Sequence, residues 1–309
     1  MPVANKVSEL FNVDGLVAVI TGGGSGLGLY AARSLDANGA KAVYIVGRRE
    51  KTLKEAASTA ANGNIIPIVG DVSDKESLRQ IADKVRQEQG YVNFLFANAG
   101  CSGVVHSSAV SNPDGTKRDF TVAELQQKLF EPEMSDFTKA LHMNNTTVFY
   151  TIVAFLDLLD AGNRARNVPQ DSQILVTGST SGLVPHLSRS FSYAASKAAV
   201  AHFVKMLATF LGANGLRIRA NTVIPDIYPT EMTATFVDRL KVFEGVEGHD
   251  GAFEGAYAMS TDKNPSGRTG SEEDFAGTVL FMASRAGAYL NGATLLTDGG
   301  KSSLLTARN

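Results

Sequence analysis

The stretch that most limits what this chain can fold into is Gly22-Gly23-Gly24-Ser25-Gly26-Leu27-Gly28, because of what flanks it. Before it, Leu16-Val17-Ala18-Val19-Ile20 is a short, β-branched apolar run that stops at Thr21. Such a run reads as a strand buried on both faces, the habit of a parallel sheet. After it, Leu29 to Leu35 carries helical spacing and stops at Gly39. Strand, glycine turn and helix in that order let a backbone approach a pyrophosphate, with the N–H groups and partial positive charge of a helix N-terminus beside it. A flexible surface turn is the alternative, and the flanking strand and helix weigh against it.

The same rhythm repeats along the chain. Apolar runs at 41–46, 64–69, 92–96, 172–177, 218–224 and 293–297 alternate with helical patterns. Ser73-Asp74-Lys75-Glu76 reads as a capping box opening a helix with Leu78, Ile81, Ala82 and Val85 on one face, and Ser271-Glu272-Glu273-Asp274 caps another. This alternation predicts an α/β fold, a doubly wound parallel sheet of Rossmann type, in a single dinucleotide-binding and catalytic domain over 1–309. Two segments break the rhythm. An insertion after the fourth strand, about 101–134, holds the turn cluster Asn112-Pro113-Asp114-Gly115 and a short helix capped at Thr121. A glycine-rich segment after the sixth strand, about 226–270, reads as a mobile substrate lid. Both follow carboxyl ends of strands, the side on which such sheets bind ligands.

The end of the second strand bears on which dinucleotide fits. An acidic residue there would bind a ribose 2′-hydroxyl, whereas arginine accommodates a 2′-phosphate. The chain has Gly47-Arg48-Arg49 and no carboxylate at that point, which favours NADP(H) over NAD(H). If the arginines only solvate a helix start, the preference stays open. A net charge of −2 gives no bulk signal for nucleic acid or an anionic membrane. The single Cys101 excludes an internal disulfide and a multi-cysteine metal site, and reads as a small loop residue. His142, His186, His202 and His249 show no metal-ligand spacing, so no metal is expected; His186 and His249 lie in segments that could border a substrate. No apolar run approaches the roughly 20 residues that span a bilayer, and Met1 to Lys6 lacks a signal-peptide apolar region; a soluble, cytoplasmic protein is the expectation.

Ser192-Tyr193-Ala194-Ala195-Ser196-Lys197 puts a phenol and an ammonium one helical turn apart if the segment is helical. A nearby positive charge lowers a phenol's pKa and lets it exchange protons closer to neutral pH. Asn144 lies in an otherwise apolar helical segment from Ser135 to Leu159, with Asn145 a rival for the same register.

Taken in order, these residues resemble the short-chain dehydrogenase/reductase family over about residues 10 to 300. Thr21 to Gly28 is similar to the family's TGxxxGxG turn, and Asp71-Val72 to its acidic site near the cofactor adenine. Ala97-Asn98-Ala99-Gly100 resembles NNAG, Ser179 stands where the family has a catalytic serine, and Tyr193 and Lys197 match YxxxK. Asn221, Pro225 and Thr230 match the strand and loop that come next, and Asp298-Gly299-Gly300 resembles the C-terminal DGG.

The resemblance implies hydride transfer between a nicotinamide and a ketone or secondary alcohol. Tyr193 would exchange the proton, Ser179 would bond the same oxygen, and Lys197 would lower the Tyr193 pKa and bind the nicotinamide ribose; Asn144 would hold a water in a proton relay. Cofactor contacts would come from Gly22, Ser25, Gly26, Leu27, Gly28, Arg48, Arg49, Asp71, Val72, Asn98, Ala99, Gly100, Tyr193, Lys197, Pro225, Ile227 and Thr230. The expected activity is an NADPH-dependent carbonyl reductase on a ketone of moderate size and low polarity. A homodimer or homotetramer would pair through helices around 136–159 and 192–211. Three departures bear on specificity: Ala97 for the first Asn of NNAG, Asp226 for the usual Gly after Pro225, and the long 101–134 insertion. Asp226 and His186 are the candidate substrate contacts. The alternative is an NADP(H)-binding protein with a sensing role or non-redox chemistry such as dehydration or cyclisation, with Asp226 as an extra acid.

Overall fold

The carboxyl ends of the parallel strands come out flush, and that alignment builds the site. A computed structural model describes residues 5–106, 110–111, 117–184 and 190–306. The main sheet contains β1 (Val17–Thr21), β2 (Ala42–Gly47), β3 (Ile65–Val69), β4 (Phe94–Ala97), β7 (Gln173–Thr177), β8 (Arg219–Pro225) and β9 (Thr294–Thr297). Their spatial order is β3-β2-β1-β4-β7-β8-β9, all parallel. Thr21 is opposite Val46 on one side and Ala97 on the other, Thr177 is opposite Val223, and Pro225 opposite Thr297. The order reverses at β1, so a crevice opens between the loops after β1 and β4, the place where such sheets bind ligands.

Burial explains why the strands read as unbroken apolar runs. Val17 and Val19 pack on one face with Tyr44, Leu95, Ile174, Phe155 and Val200; Ala18 and Ile20 pack on the other with Ile45, Phe96, Ala31, Leu35 and Phe275. Alternate residues of one strand thus enter two cores, each covered by helices. This is the doubly wound α/β architecture expected, in one domain.

Three local features differ from the sequence reading. The helix Lys75–Gln89 is capped by Asp74, which accepts from the Ser77 N–H at 2.8 Å, while Ser73 turns back and bonds Asp71. The segment read as one helix from Ser135 is Met134–Leu141, a π-helical turn His142–Thr146, and the helix Thr147–Ala165. The helix Phe191–Ala213, 23 residues long, is by length and composition apolar enough to cross a bilayer, which amends the expectation that no segment is. Its Val200, Val204, Ala208 and Leu211 pack into the first of the two cores.

The insertion contains an antiparallel pair, β5 (Val110–Ser111) and β6 (Lys117–Arg118), and the helix Val122–Phe130. Thr121 and Glu124 form the expected capping box, and Glu124 also holds the Arg118 guanidinium. The turn cluster Asn112-Pro113-Asp114-Gly115 and His186 lie outside the described residues. The 226–270 segment holds a short helix, Ala234–Val237, and isolated bridges Val242↔Tyr257 and Ala258↔Arg268. Arg268 anchors its base: the guanidinium bonds Asp274 at 2.6 and 3.0 Å and lies 3.7 Å from the Phe253 ring centroid.

Candidate active site

One cleft of ≈ 590 Å³ runs along the flush strand ends and is lined from the glycine turn at one side to Tyr193 and Lys197 at the other. The turn can exist only with glycine at its close approaches. Gly22 and Gly26 have φ of 65° and 52°, a region that side chains disfavour. A Cβ at Gly28 would stand 2.3 Å from the Gly22 carbonyl oxygen, and one at Gly26 2.9 Å from Thr230 Cγ2. Ser25, in extended conformation, precedes the helix Gly26–Ala37, so Gly26 and Leu27 present a helix start to the cleft. Asn98 ties the turn to two further strands: its Nδ2 donates to the carbonyls of Thr21 at 3.2 Å and Gly22 at 3.3 Å, and its Oδ1 accepts from Thr177 Oγ1 at 2.9 Å. This backbone cradle fits a dinucleotide pyrophosphate.

At the β2 end folding adds what the sequence alone does not disclose. Arg48 Nη1 is 4.0 Å from Asp71 Oδ2, and Arg49 Nη2 donates to both carboxylate oxygens of Glu231 at 3.0 and 2.8 Å. Each arginine therefore faces a carboxylate, one from the loop after β3 and one from the loop after β8. Hydrogen bonds from the Ser73 hydroxyl and N–H hold the Asp71 carboxyl below its ordinary range.

The proton-exchange end is set by the long helix and the turn after β7. Ser190 caps Phe191–Ala213, and its Oγ accepts from the Tyr193 N–H at 3.3 Å. Gly182 lets the Ser179 turn lie directly on this helix, since a Cβ there would meet the Lys197 carbonyl carbon at 2.5 Å. Ser179, Tyr193 and Lys197 line this end of the cleft together. Burial pushes the Tyr193 phenol above its ordinary 10, and the neighbouring Ser179 hydroxyl opposes it. That net direction is opposite to the expectation from the Tyr–Lys spacing. The Lys197 ammonium lies 5.7 Å from the Tyr193 ring centroid and makes its short contact with the Thr177 carbonyl, at 2.7 Å. Burial brings Lys197 itself down to about 8.

Asn144 stands behind the cleft wall and does not line it. Its Oδ1 accepts from the Cys101 N–H at 3.0 Å, and its Nδ2 donates to the Cys101 carbonyl at 3.0 Å and to Ser196 Oγ at 2.9 Å. The π-helical turn places this side chain inward, as such turns often do at functional sites. Asn145, the rival, has a buried Nδ2 with no partner among the described residues.

Asp226 lines the cleft, yet both its oxygens are engaged. Oδ1 accepts from Thr180 Oγ1 at 2.7 Å and from Lys301 Nζ at 2.9 Å, and Oδ2 from Lys301 Nζ at 3.0 Å. Asp298 orients Lys301 by accepting from the N–H groups of Gly300 at 3.0 Å and Ser302 at 2.7 Å. The Asp226 side chain is 6% exposed and that of Lys301 26%. Lys301→Met is expected to cost about 2 kcal/mol, below the roughly 3–5 for breaking a fully buried pair because Lys301 is partly wet. A thermal melt checks this, and adding Asp226→Asn to Lys301→Met should restore part of the loss by removing the unpaired charge.

Of the residues picked from sequence, Gly22, Ser25, Gly26, Leu27, Arg48, Arg49, Asp71, Val72, Asn98, Ala99, Gly100, Ser179, Tyr193, Lys197, Pro225, Asp226 and Thr230 share the cleft. Gly28 is not on its wall; it packs behind the turn against the Gly22 carbonyl. Ile227 is not on its wall; the Ile227 carbonyl accepts from the Gly270 N–H at 2.9 Å. His249 lies apart from it, exposed in the 226–270 segment. Sequence reasoning missed Glu231 and Lys301, which carry no local motif, and Cys101, which lines the cleft directly after Gly100.

Comparisons with known proteins agree with this geometry. The family model described as short chain dehydrogenase matches residues 16–241. The short-chain dehydrogenase/reductase PhomF of Diaporthe leptostromiformis is 44% identical over 300 residues, 96% of this chain and 94% of that protein. VdtF of Byssochlamys spectabilis, another short-chain dehydrogenase/reductase, is 35% identical over 313 residues, 96% of each. The solved Pseudomonas aeruginosa RhlG/NADP active-site complex matches with a TM-score of 0.75 and 25% identity, over 95% of this chain and 98% of that one. With the glycine turn, the serine–tyrosine–lysine group and the sheet order on one rim, and a family match across most of the chain, this protein belongs to the short-chain dehydrogenase/reductase family of oxidoreductases.

Proposed function

We propose that the protein is an NADPH-dependent carbonyl reductase that interconverts a ketone and a secondary alcohol. The carrying observation is that Ser179, Tyr193 and Lys197 line one end of the cleft whose other end is the glycine turn, with the Lys197 ammonium 5.7 Å from the Tyr193 ring centroid. When bound, the nicotinamide supplies or accepts the hydride. Tyr193 gives its phenolic proton to the carbonyl oxygen in reduction and takes it back in oxidation. Ser179 donates to the same oxygen as negative charge develops there. Lys197, held on the Thr177 carbonyl, keeps a positive charge within reach of the phenolate and of the cofactor ribose. Asn144 fixes the Gly100–Cys101 backbone against the helix bearing Ser196, and so holds the wall on which a relay water would sit.

The NADP(H) preference rests on Arg48, whose side chain is 73% exposed at the cleft lip with, among the described residues, a long contact to Asp71. Arg48→Asp is expected to shift the preference toward NADH by about tenfold or more, read as the ratio of kcat/KM for the two cofactors; an unchanged ratio overturns the assignment. A ketone screen showing NADPH oxidation coupled to an alcohol product tests the activity itself, and NADPH binding without turnover would support the non-redox alternative. That alternative leaned on Asp226 as an extra acid, and the engagement of both its oxygens argues against it. The 226–270 segment serves as the substrate lid and the insertion as a wall of the site. Phe149, Val153, Met206 and Phe210, exposed on the two long helices, suit pairing of copies into a dimer or tetramer. The site of action is the cytoplasm.

A further inference from the structure

We infer that Glu231 is a specificity-determining residue: its carboxylate competes with a 2′-phosphate for Arg49 and so sets how strongly the protein prefers NADP(H) over NAD(H). This rests on the reading that Arg48 and Arg49 receive the 2′-phosphate. Four observations carry it.

First, Glu231 and Arg49 both line the cleft, although they come from the loops after β8 and β2. Second, the lip is balanced. Arg48 faces Asp71 and Arg49 faces Glu231, while the next charges along the helix after β2 pair among themselves, Glu50 with Lys54 and Lys51 with Glu55. An incoming phosphate dianion therefore meets no surplus of cations unless a carboxylate withdraws. Third, the two carboxylates are not equally free to withdraw. Asp71 Oδ1 is held by the Ser73 N–H at 2.9 Å and the Ser73 hydroxyl at 2.7 Å, whereas the Glu231 carboxylate is bonded only to Arg49 among the described residues. Fourth, the residues leading into Glu231 are anchored, while its tip is held only by the exposed Arg49 side chain among the described residues. The Pro229 carbonyl accepts from the Tyr30 hydroxyl at 2.6 Å, and the Thr230 N–H donates to Thr233 Oγ1 at 3.0 Å. The Glu231 side chain is nevertheless 58% exposed. A fixed base with an exposed carboxylate keeps a negative charge beside the phosphate position even after the ion pair opens. Arg49 has enough donors to hold both anions, but the two then lie side by side and repel.

The test compares binding of adenosine 2′,5′-bisphosphate and 5′-AMP by calorimetry, in the whole protein and in Glu231→Gln, at low and moderate salt. The probes need no substrate and report only on the adenosine half of the cleft. Glu231→Gln should bind the 2′,5′-bisphosphate about five- to tenfold more tightly and 5′-AMP within twofold, with the gain shrinking as salt rises. An unchanged affinity ratio overturns the inference. So does an equal weakening for both probes, which would mark Glu231 as a clasp that only holds the loop. Arg48→Ala separates this outcome from failure of the cofactor reading. If Arg48→Ala erases a preference for the 2′-phosphate and Glu231→Gln does not raise it, the cofactor reading stands and the role of Glu231 fails. If the unaltered protein shows no preference and Glu231→Gln creates one, the competition is confirmed. If neither shows one, both readings fail.

Discussion

Tyr193→Phe is expected to lower ketone-dependent NADPH oxidation by about 10³-fold or more while leaving NADPH binding within about twofold. The general acid–base step carries roughly 10²–10⁴ of such a rate, and Tyr193 lines the cleft together with Ser179 and Lys197. The substitution removes one oxygen and keeps the ring, so the helix Phe191–Ala213 and the Lys197–Thr177 bond remain. Loss of one partly exposed hydrogen bond costs about 1 kcal/mol, and the melting temperature should barely move. Absorbance of NADPH at saturating ketone, with cofactor affinity measured alongside, checks both halves. Turnover within tenfold of the unaltered protein would remove Tyr193 from the proton step.

Asn144→Ala is the second large effect, and it differs in kind. It takes the partners from the Cys101 N–H and carbonyl and from Ser196 Oγ, all in the interior wall behind the cleft. Ser196 in turn donates to the Tyr193 carbonyl at 2.7 Å, so the disturbance reaches the backbone of the proton donor. Buried groups left without partners cost about 1–3 kcal/mol each, and partial relaxation brings the total to about 3 kcal/mol. That corresponds to a melting temperature lower by roughly 5–10 °C. Turnover should fall as well, since the Gly100–Cys101 segment is no longer pinned. Asn145→Ala is the control: the Asn145 Nδ2 makes no hydrogen bond among the described residues, so its removal should leave both stability and turnover near their starting values.

These two positions show how far the chain can be read and where reading stops. Strands such as Val17–Thr21 were legible because both faces are buried, which leaves an apolar run with no polar interruption. The glycine turn was legible because each of its tight positions excludes a Cβ. The choice between Asn144 and Asn145 was not. It depends on a π-helical turn, which adds a residue to one helical turn and rotates the residues after it. Nor was the direction of the Tyr193 shift, because spacing shows the neighbouring ammonium and says nothing of burial, and burial is the larger cause. The pairs Arg49–Glu231 and Asp226–Lys301 were out of reach for another reason. Their members lie far apart in sequence, in loops and at helix starts, and meet only because the strand ends are in register.

The Asp226–Lys301 pair has a consequence for how the protein is made. Lys301 follows the last strand, β9, within a few residues, so β9 and Lys301 leave the ribosome together, after β1 to β8 and the Thr180 turn. Until then the carboxylate at the end of β8 has only the Thr180 hydroxyl for company and draws water into the half-built crevice. The last strand and the ammonium that neutralises Asp226 therefore arrive as one unit, and the edge of the sheet closes when the site does. A released chain truncated after Gly300 should lack this neutralisation and keep a hydrated, protease-sensitive rim at the end of β8.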